Sequence, residues 1–168
     1  SNGIFRDVLL YKTGNNSIYD FEAKISFKSS FSLDFLPSLK ISDDCVLTVS
    51  LYDDGEIVSS KSVNVSPSNI EKISFNNLDV HKWSAECPYL YDLVIILSKG
   101  EDVIEVVRKN IGFKNVEIIG NKFLFNNEPI KLLGVNHHDT NAKTGYVMSV
   151  EDMELDVSLV KQYNANCI

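Results

Sequence analysis

The chain has 168 residues, a hydrophobic share of 44%, a charged share of 23% and a net charge of −7 at pH 7. That length allows one domain, or a small domain with part of a second, and the apolar share is enough to bury a core. The acidic balance argues against nucleic acid and anionic membrane surfaces as partners, whose negative charge would repel it. No apolar run approaches the roughly 18 residues that would span a bilayer, and no signal-peptide pattern opens the chain, so a cytoplasmic location is expected.

Taken in chain order, the first two thirds predict strands. Ile4 to Leu10 is an apolar-rich run that ends at the turn residues Gly14-Asn15-Asn16. Tyr19 to Phe27 alternates through Phe21, Ala23, Ile25 and Phe27, the period of a half-buried strand. Residues 28–44 break the alternation with Ser and Asp, and Pro37 disfavours a central strand, so a long connection or irregular edge strand is expected. Cys45 to Tyr52 alternates again, and Asp53-Asp54-Gly55 leads into Glu56 to Val63 as a hairpin. The Asp-Asp-Gly triplet resembles half of a calcium loop, but the later oxygen ligands are missing and a turn is the better reading. Ile70 to Phe75, Leu90 to Leu97 and Val103 to Ile111 bring the set to about seven strands. The expectation for residues 1–112 is an immunoglobulin-like antiparallel β-sandwich.

The pattern changes near Gly112. Val116 to Ile119, Lys122 to Phe125 and Pro129 to Leu133 read as short strands separated by Gly120-Asn121 and Asn126-Asn127. A helix follows, with Ser149 as its cap and Asp152 three residues on in a box-like arrangement. Val150, Met153, Val157 and Val160 predict its apolar stripe, which Leu155, Leu159 and Tyr163 widen. Asn164 ends the helix and Ala165 to Ile168 begins another strand. Strand, helix, strand is the unit of a parallel sheet, and one unit cannot bury both faces of its strands. Residues 113–168 are therefore expected to open a domain that continues in a longer polypeptide.

Chemistry-bearing residues are few. Cys45, Cys87 and Cys167 are odd in number and widely spaced, which suits neither a disulfide framework nor a zinc site. A Cys45–Cys87 inter-sheet bridge is rejected, because Trp83 lies four residues before Cys87 instead of on a strand of its own. Buried free thiols are expected. Glu151, Asp152 and Glu154 fall in the first turn of the helix, where negative charge complements the dipole, and are given a structural role. Trp83, Pro88, Tyr89 and Tyr91 could form a platform for a sugar ring, or packing within a sandwich; packing is the commoner use. Asn136-His137-His138-Asp139 follows an apolar strand, the position where parallel-strand enzymes place their chemistry. Adjacent histidines on an extended strand point to opposite faces, so both cannot serve one site. On the residues alone, an exposed His-His loop competes with a polar pocket. A metal site lacks both the i, i+4 helical spacing and a second His cluster.

Three blocks together resemble the β-galactosidase branch of the glycoside hydrolase family 2 enzymes. They are Gly3-Ile4-Phe5-Arg6-Asp7-Val8, then Trp83-Ser84-Ala85-Glu86-Cys87-Pro88-Tyr89-Leu90-Tyr91, then Ile111-Gly112-Phe113 with Asn126-Asn127-Glu128-Pro129 and Gly134-Val135-Asn136-His137-His138-Asp139. Gly145-Tyr146-Val147-Met148 and the helix continue the match. Two departures stand out: Asn127 where the family usually has Gly, and Thr140-Asn141-Ala142 where many relatives have His-Pro. The resemblance implies a sandwich over residues 1–112 and, over residues 113–168, the start of a (β/α)₈ TIM barrel. It implies a parent enzyme that hydrolyses terminal β-galactosides with retention, through two glutamates about 5–5.5 Å apart. Those glutamates match no residue of this chain, so no catalytic residue is assigned to it and the chain alone is expected to be inactive. What carries over is sugar binding by His138, flanked by Asn136 and Asp139. The magnesium and sodium that the resemblance implies for the parent also have no matching ligands, so no metal or other cofactor is assigned to this chain. The rest of the parent chain and a homo-oligomer of it are the implied partners. The competing readings are a non-enzymatic module that binds carbohydrate or protein, and a fragment of a related β-glucuronidase or β-mannosidase.

Overall fold

The computed structural model describes Ile4 and residues 6–168. These fall into two compact units, one formed by residues 12–128 and the other by residues 1–11 with 129–168. Gly3 and Phe5, from the first block of the resemblance, lie outside the described residues.

The larger unit is a sandwich of two antiparallel sheets. One holds β1 (Ser17–Phe27), β2 (Phe31–Lys40) and β5 (Ile73–Leu78), in the order β1-β2-β5. The other holds β3 (Cys45–Asp53), β4 (Glu56–Val65), β6 (Tyr91–Lys99) and β7 (Asp102–Ile111), in the order β4-β3-β6-β7. Three strands facing four is the arrangement of an immunoglobulin-like domain. Alternate residues of each strand turn inward. Phe31, Leu33 and Phe35 of β2 meet Leu47, Val49 and Leu51 of β3 and Leu93, Ile95 and Leu97 of β6 in one buried cluster. Burying a side chain of this size stabilises by roughly 1.5–3 kcal/mol, so this cluster is the main source of stability. The two open sides are each spanned by one charged side chain. Glu105 of β7 accepts from the backbone N–H of Ile18 at 2.7 Å, and Lys61 of β4 donates to the carbonyl of Ser74 at 2.6 Å.

Two expectations for strands need correction. The 28–44 segment is no loop: β2 is a ten-residue strand with neighbours on both sides. Pro37 is tolerated because β2 pairs with β5 only over Phe31 to Phe35. Beyond Phe35 the strand has β1 alone, so the absent N–H of Pro37 removes no bond on the β5 side. The apolar run Ile4 to Leu10, by contrast, forms no strand among its described residues, and Leu9 and Leu10 are exposed. Alternating or apolar sequence makes a strand only where a neighbour supplies the ladder.

The Asp53-Asp54-Gly55 hairpin forms as expected. Asp54 and Gly55 both have positive φ, 46° and 89°, which the primed two-residue turn requires. After β7 come β8 (Val116–Ile119) and β9 (Lys122–Phe125), a hairpin with the predicted limits, in the same unit as the sandwich. The two-residue strand β10 (Glu128–Pro129) follows, through a turn where Asn126 and Asn127 have φ of 52° and 72°. Asn127 thus adopts the left-handed conformation expected of it although the resemblance implies Gly there.

The smaller unit contains the one α-helix among the described residues, α1 (Val150–Gln162). Its cap is the predicted one. Ser149 Oγ accepts from the Asp152 N–H at 3.1 Å, and the Asp152 carboxylate accepts from the Ser149 N–H at 3.1 Å. Ahead of the helix, the predicted Pro129–Leu133 strand is only a short pairing. Gly134 makes a parallel bridge to Cys167, with Val135 N–H bonded to Cys167 O at 3.1 Å and Asn166 N–H to Leu133 O at 2.9 Å. The parallel sense is that of a strand-helix-strand unit. Half of the predicted apolar stripe is half-buried, Met153 and Val160, whereas Val150, Val157 and Tyr163 are 65%, 55% and 80% exposed, and no helix residue is fully buried. Asp152 and Asp156 complete the half-buried face.

Candidate functional site

The loop after the Gly134 bridge lies over that mixed face of α1. Asp152 and Asp156 are four apart, so their side chains share one side of the helix. Asp156 Oδ2 lies 3.0 Å from Nε2 of His137, and Asp152 Oδ1 accepts from Asn141 Nδ2 at 3.1 Å. A carboxylate only accepts, so the imidazole donates through Nε2–H. His137 Nδ1 faces the other way, 3.6 Å from Asp139 Oδ1. Asp139 is paired in turn with Arg6 at 3.3 Å, and Arg6 also donates to the Tyr146 carbonyl at 3.2 Å. The bonds of Asp152 to the Ser149 backbone and hydroxyl and to Asn141 hold its carboxyl below the ordinary aspartate range. That keeps it charged as both helix cap and loop tether.

The two histidines separate as their adjacency predicts. His137 is half-buried with carboxylates at both ring nitrogens. The His138 ring is exposed and bonds none of the described residues, and neither does the exposed Asn136 side chain. Asp139 is brought to Arg6 and His137. Sequence reasoning missed Arg6 and Asp156 as members of this cluster. The i, i+4 pair of aspartates following a His- and Asn-bearing loop was the available signal for Asp156.

In the other unit, Trp83 is taken up by packing. Its N–H bonds Phe113 O at 2.8 Å, its carbonyl accepts from Asn126 Nδ2 at 2.9 Å, and its ring meets Phe125 edge-on at 5.9 Å. Lys114 Nζ sits 4.8 Å from the ring centre. A Cβ added to Gly112 would come within 2.6 Å of the indole, so only glycine fits there without movement. Tyr89 donates to Asp53 at 2.6 Å, a bond that pushes the phenol up to about 12. Tyr91 is buried and accepts from the His81 N–H at 2.8 Å. Of the three free thiols only Cys45 is buried; Cys87 is exposed and Cys167 half-buried, which corrects the expectation of buried thiols. Among the described residues no group of three or more His, Cys, Asp or Glu side chains lies together as a metal site would. None of the helices is long and apolar enough to cross a membrane among the described residues.

The family model described as Glycosyl hydrolases family 2 matches residues 18–114, and that described as Glycosyl hydrolases family 2, TIM barrel domain, matches residues 116–168. The chain belongs to glycoside hydrolase family 2. It is an immunoglobulin-like sandwich followed by the beginning of a TIM barrel. A β-galactosidase of Streptococcus thermophilus is 34% identical over 99% of this chain, and one of Halalkalibacterium halodurans is 32% identical over the same share. The chain spans 17% of the length of each. Among solved structures, a β-glucuronidase of Ruminococcus gnavus superposes with a TM-score of 0.77 at 23% identity, over 90% of this chain and 25% of that one. At that identity the likeness concerns the fold.

Proposed function

We propose that this chain is the sandwich and first barrel segment of a β-galactosidase, and that it contributes His138 to the galactose site without itself carrying the catalytic glutamates. The observation that carries the reading is similarity to proteins named β-galactosidase along 99% of the chain, through the Asn136–Asp139 loop. His138 is exposed just after the parallel Gly134–Cys167 bridge, and an imidazole there can exchange hydrogen bonds with a sugar hydroxyl. Asn136 flanks it as a further polar contact to the same ring, whereas Asp139, expected there as well, is paired with Arg6. The parent would cleave terminal β-galactosides with retention, using two glutamates from other parts of the barrel. Magnesium and sodium would be cofactors of that parent, held by residues outside this segment. The remaining chain and a second copy of the parent are its partners, and the cytoplasm is its place of action.

The full-length polypeptide carrying this segment should hydrolyse nitrophenyl β-galactoside in preference to the β-glucuronide. The 168-residue chain alone should be inactive toward both. His138→Ala in the full-length protein should lower kcat/KM about a hundredfold, the scale of losing one hydrogen bond to the transition state. A full-length protein that prefers the glucuronide, or an unchanged His138→Ala variant, would contradict the reading.

A further inference from the structure

We infer that His137 is a positioning residue for His138, clamped between Asp156 of α1 and the Arg6–Asp139 pair; this rests on the proposed galactose site. Partners alternate along the loop: His137 bonds Asp156 at 3.0 Å, Asp139 pairs with Arg6 at 3.3 Å, and Asn141 bonds Asp152 at 3.1 Å. The intervening Asn136 and His138 side chains bond none of the described residues. That alternation is what an extended backbone imposes, one face to each set. Fixing residues 137, 139 and 141 to the helix and the N-terminal segment therefore turns residues 136 and 138 to the opposite side. Val135, bonded to Cys167 at 3.1 Å, holds the near end, and the reciprocal Asn141–Gly145 backbone bonds close the far end.

The side chain of His137 is 23% exposed, with both ring nitrogens directed at carboxylates. Its Nε2–H is committed to Asp156, and its Nδ1 faces the Asp139 carboxylate, on the side of the loop turned away from His138. Its contribution to catalysis is made through the orientation of its neighbour. A displacement of the order of 1 Å at a group contacting the reacting sugar can cost up to about a hundredfold in rate, so a loosened clamp is measurable.

The test uses the full-length polypeptide carrying this segment, assayed with nitrophenyl β-galactoside. His137→Ala and Asp156→Ala should each lower kcat/KM about tenfold, with the loss falling on kcat and KM in the proportion measured for His138→Ala. Asp156→Asn keeps an oxygen that accepts from Nε2–H and should restore most of the rate. In a His138→Ala background, removing His137 should cost nothing further, since the residue it positions is gone. Equal, additive losses in that background, or a wild-type rate for His137→Ala, overturn the inference alone. A silent His138→Ala instead overturns the site reading and the inference with it. Should His137→Ala fail to fold, the contrast between Asp156→Ala and Asp156→Asn decides the question, and equal rates for the two count against the clamp.

Discussion

Every fully buried residue described in this chain lies in the unit of residues 12–128; the unit of residues 1–11 and 129–168 has none. The larger unit is held by a dry interior between two sheets. Among the described residues, the smaller has a capping box, carboxylate bonds through Asp139, Asp152 and Asp156, and the parallel Gly134–Cys167 bridge. Stability and candidate chemistry are thus kept apart. The polar loop can present Asn136 and His138 because its other side chains are spent on anchoring, whereas the sandwich spends its alternation on packing.

The largest test of this contrast is truncation in each unit. Leu93→Ala or Leu47→Ala should destabilise the chain by about 3 kcal/mol, as buried leucines do. Leu155→Ala on the exposed helix should cost within about 0.5 kcal/mol. Urea midpoints measure both, and similar costs would break the comparison. Next in size is Gly112→Ala, whose Cβ would press on the Trp83 ring; about 1–3 kcal/mol of overpacking is expected. A shift in Trp83 emission should accompany it, because the chain has a single Trp.

Ser149→Ala should remove about 1 kcal/mol from the helix and leave the sandwich unmoved, read as faster amide exchange confined to the first turn of α1. Smallest are the pH effects, whose signs differ between groups. Asp152 titrates below its unfolded value because of its bonds to Ser149, so its contribution is present above pH about 4 and fades as pH falls through the lowered pKa. Asp92, held down by Arg108, acts in the same direction within the sandwich. Tyr89, raised to about 12 by Asp53, acts oppositely: its contribution is full below pH about 10 and is lost as pH rises toward 12. Titrations of helical circular dichroism and of tyrosinate absorbance follow the two ends, and a Tyr89 titrating at the ordinary pH would deny the Asp53 bond.

Most of the sandwich was legible because period-2 alternation is written in consecutive residues, as in Cys45, Leu47, Val49 and Leu51. β2 carried the same signal in Phe31, Leu33 and Phe35, but Pro37 masked it; where pairing to β5 stops is a tertiary fact. Ile4 to Leu10 failed for the reverse reason, an apolar run whose described residues pair with no strand. The helix cap was read correctly since Ser149 and Asp152 are three residues apart and act locally. Its inward face was read only in part: Met153 and Val160 were right, but apolar count also favours Val150 and Val157 while the loop recruits Asp152 and Asp156. Adjacency alone showed that His137 and His138 diverge. Which of them would be anchored depended on Asp156, nineteen residues away, and on Arg6 at the other end of the chain.

Residue-resolved amide exchange on the 168-residue chain tests the division most directly. Amides of β3 and β6 should exchange only through global unfolding, while those of residues 129–168 exchange through local opening several kcal/mol lower. Equal protection across both units would contradict the account.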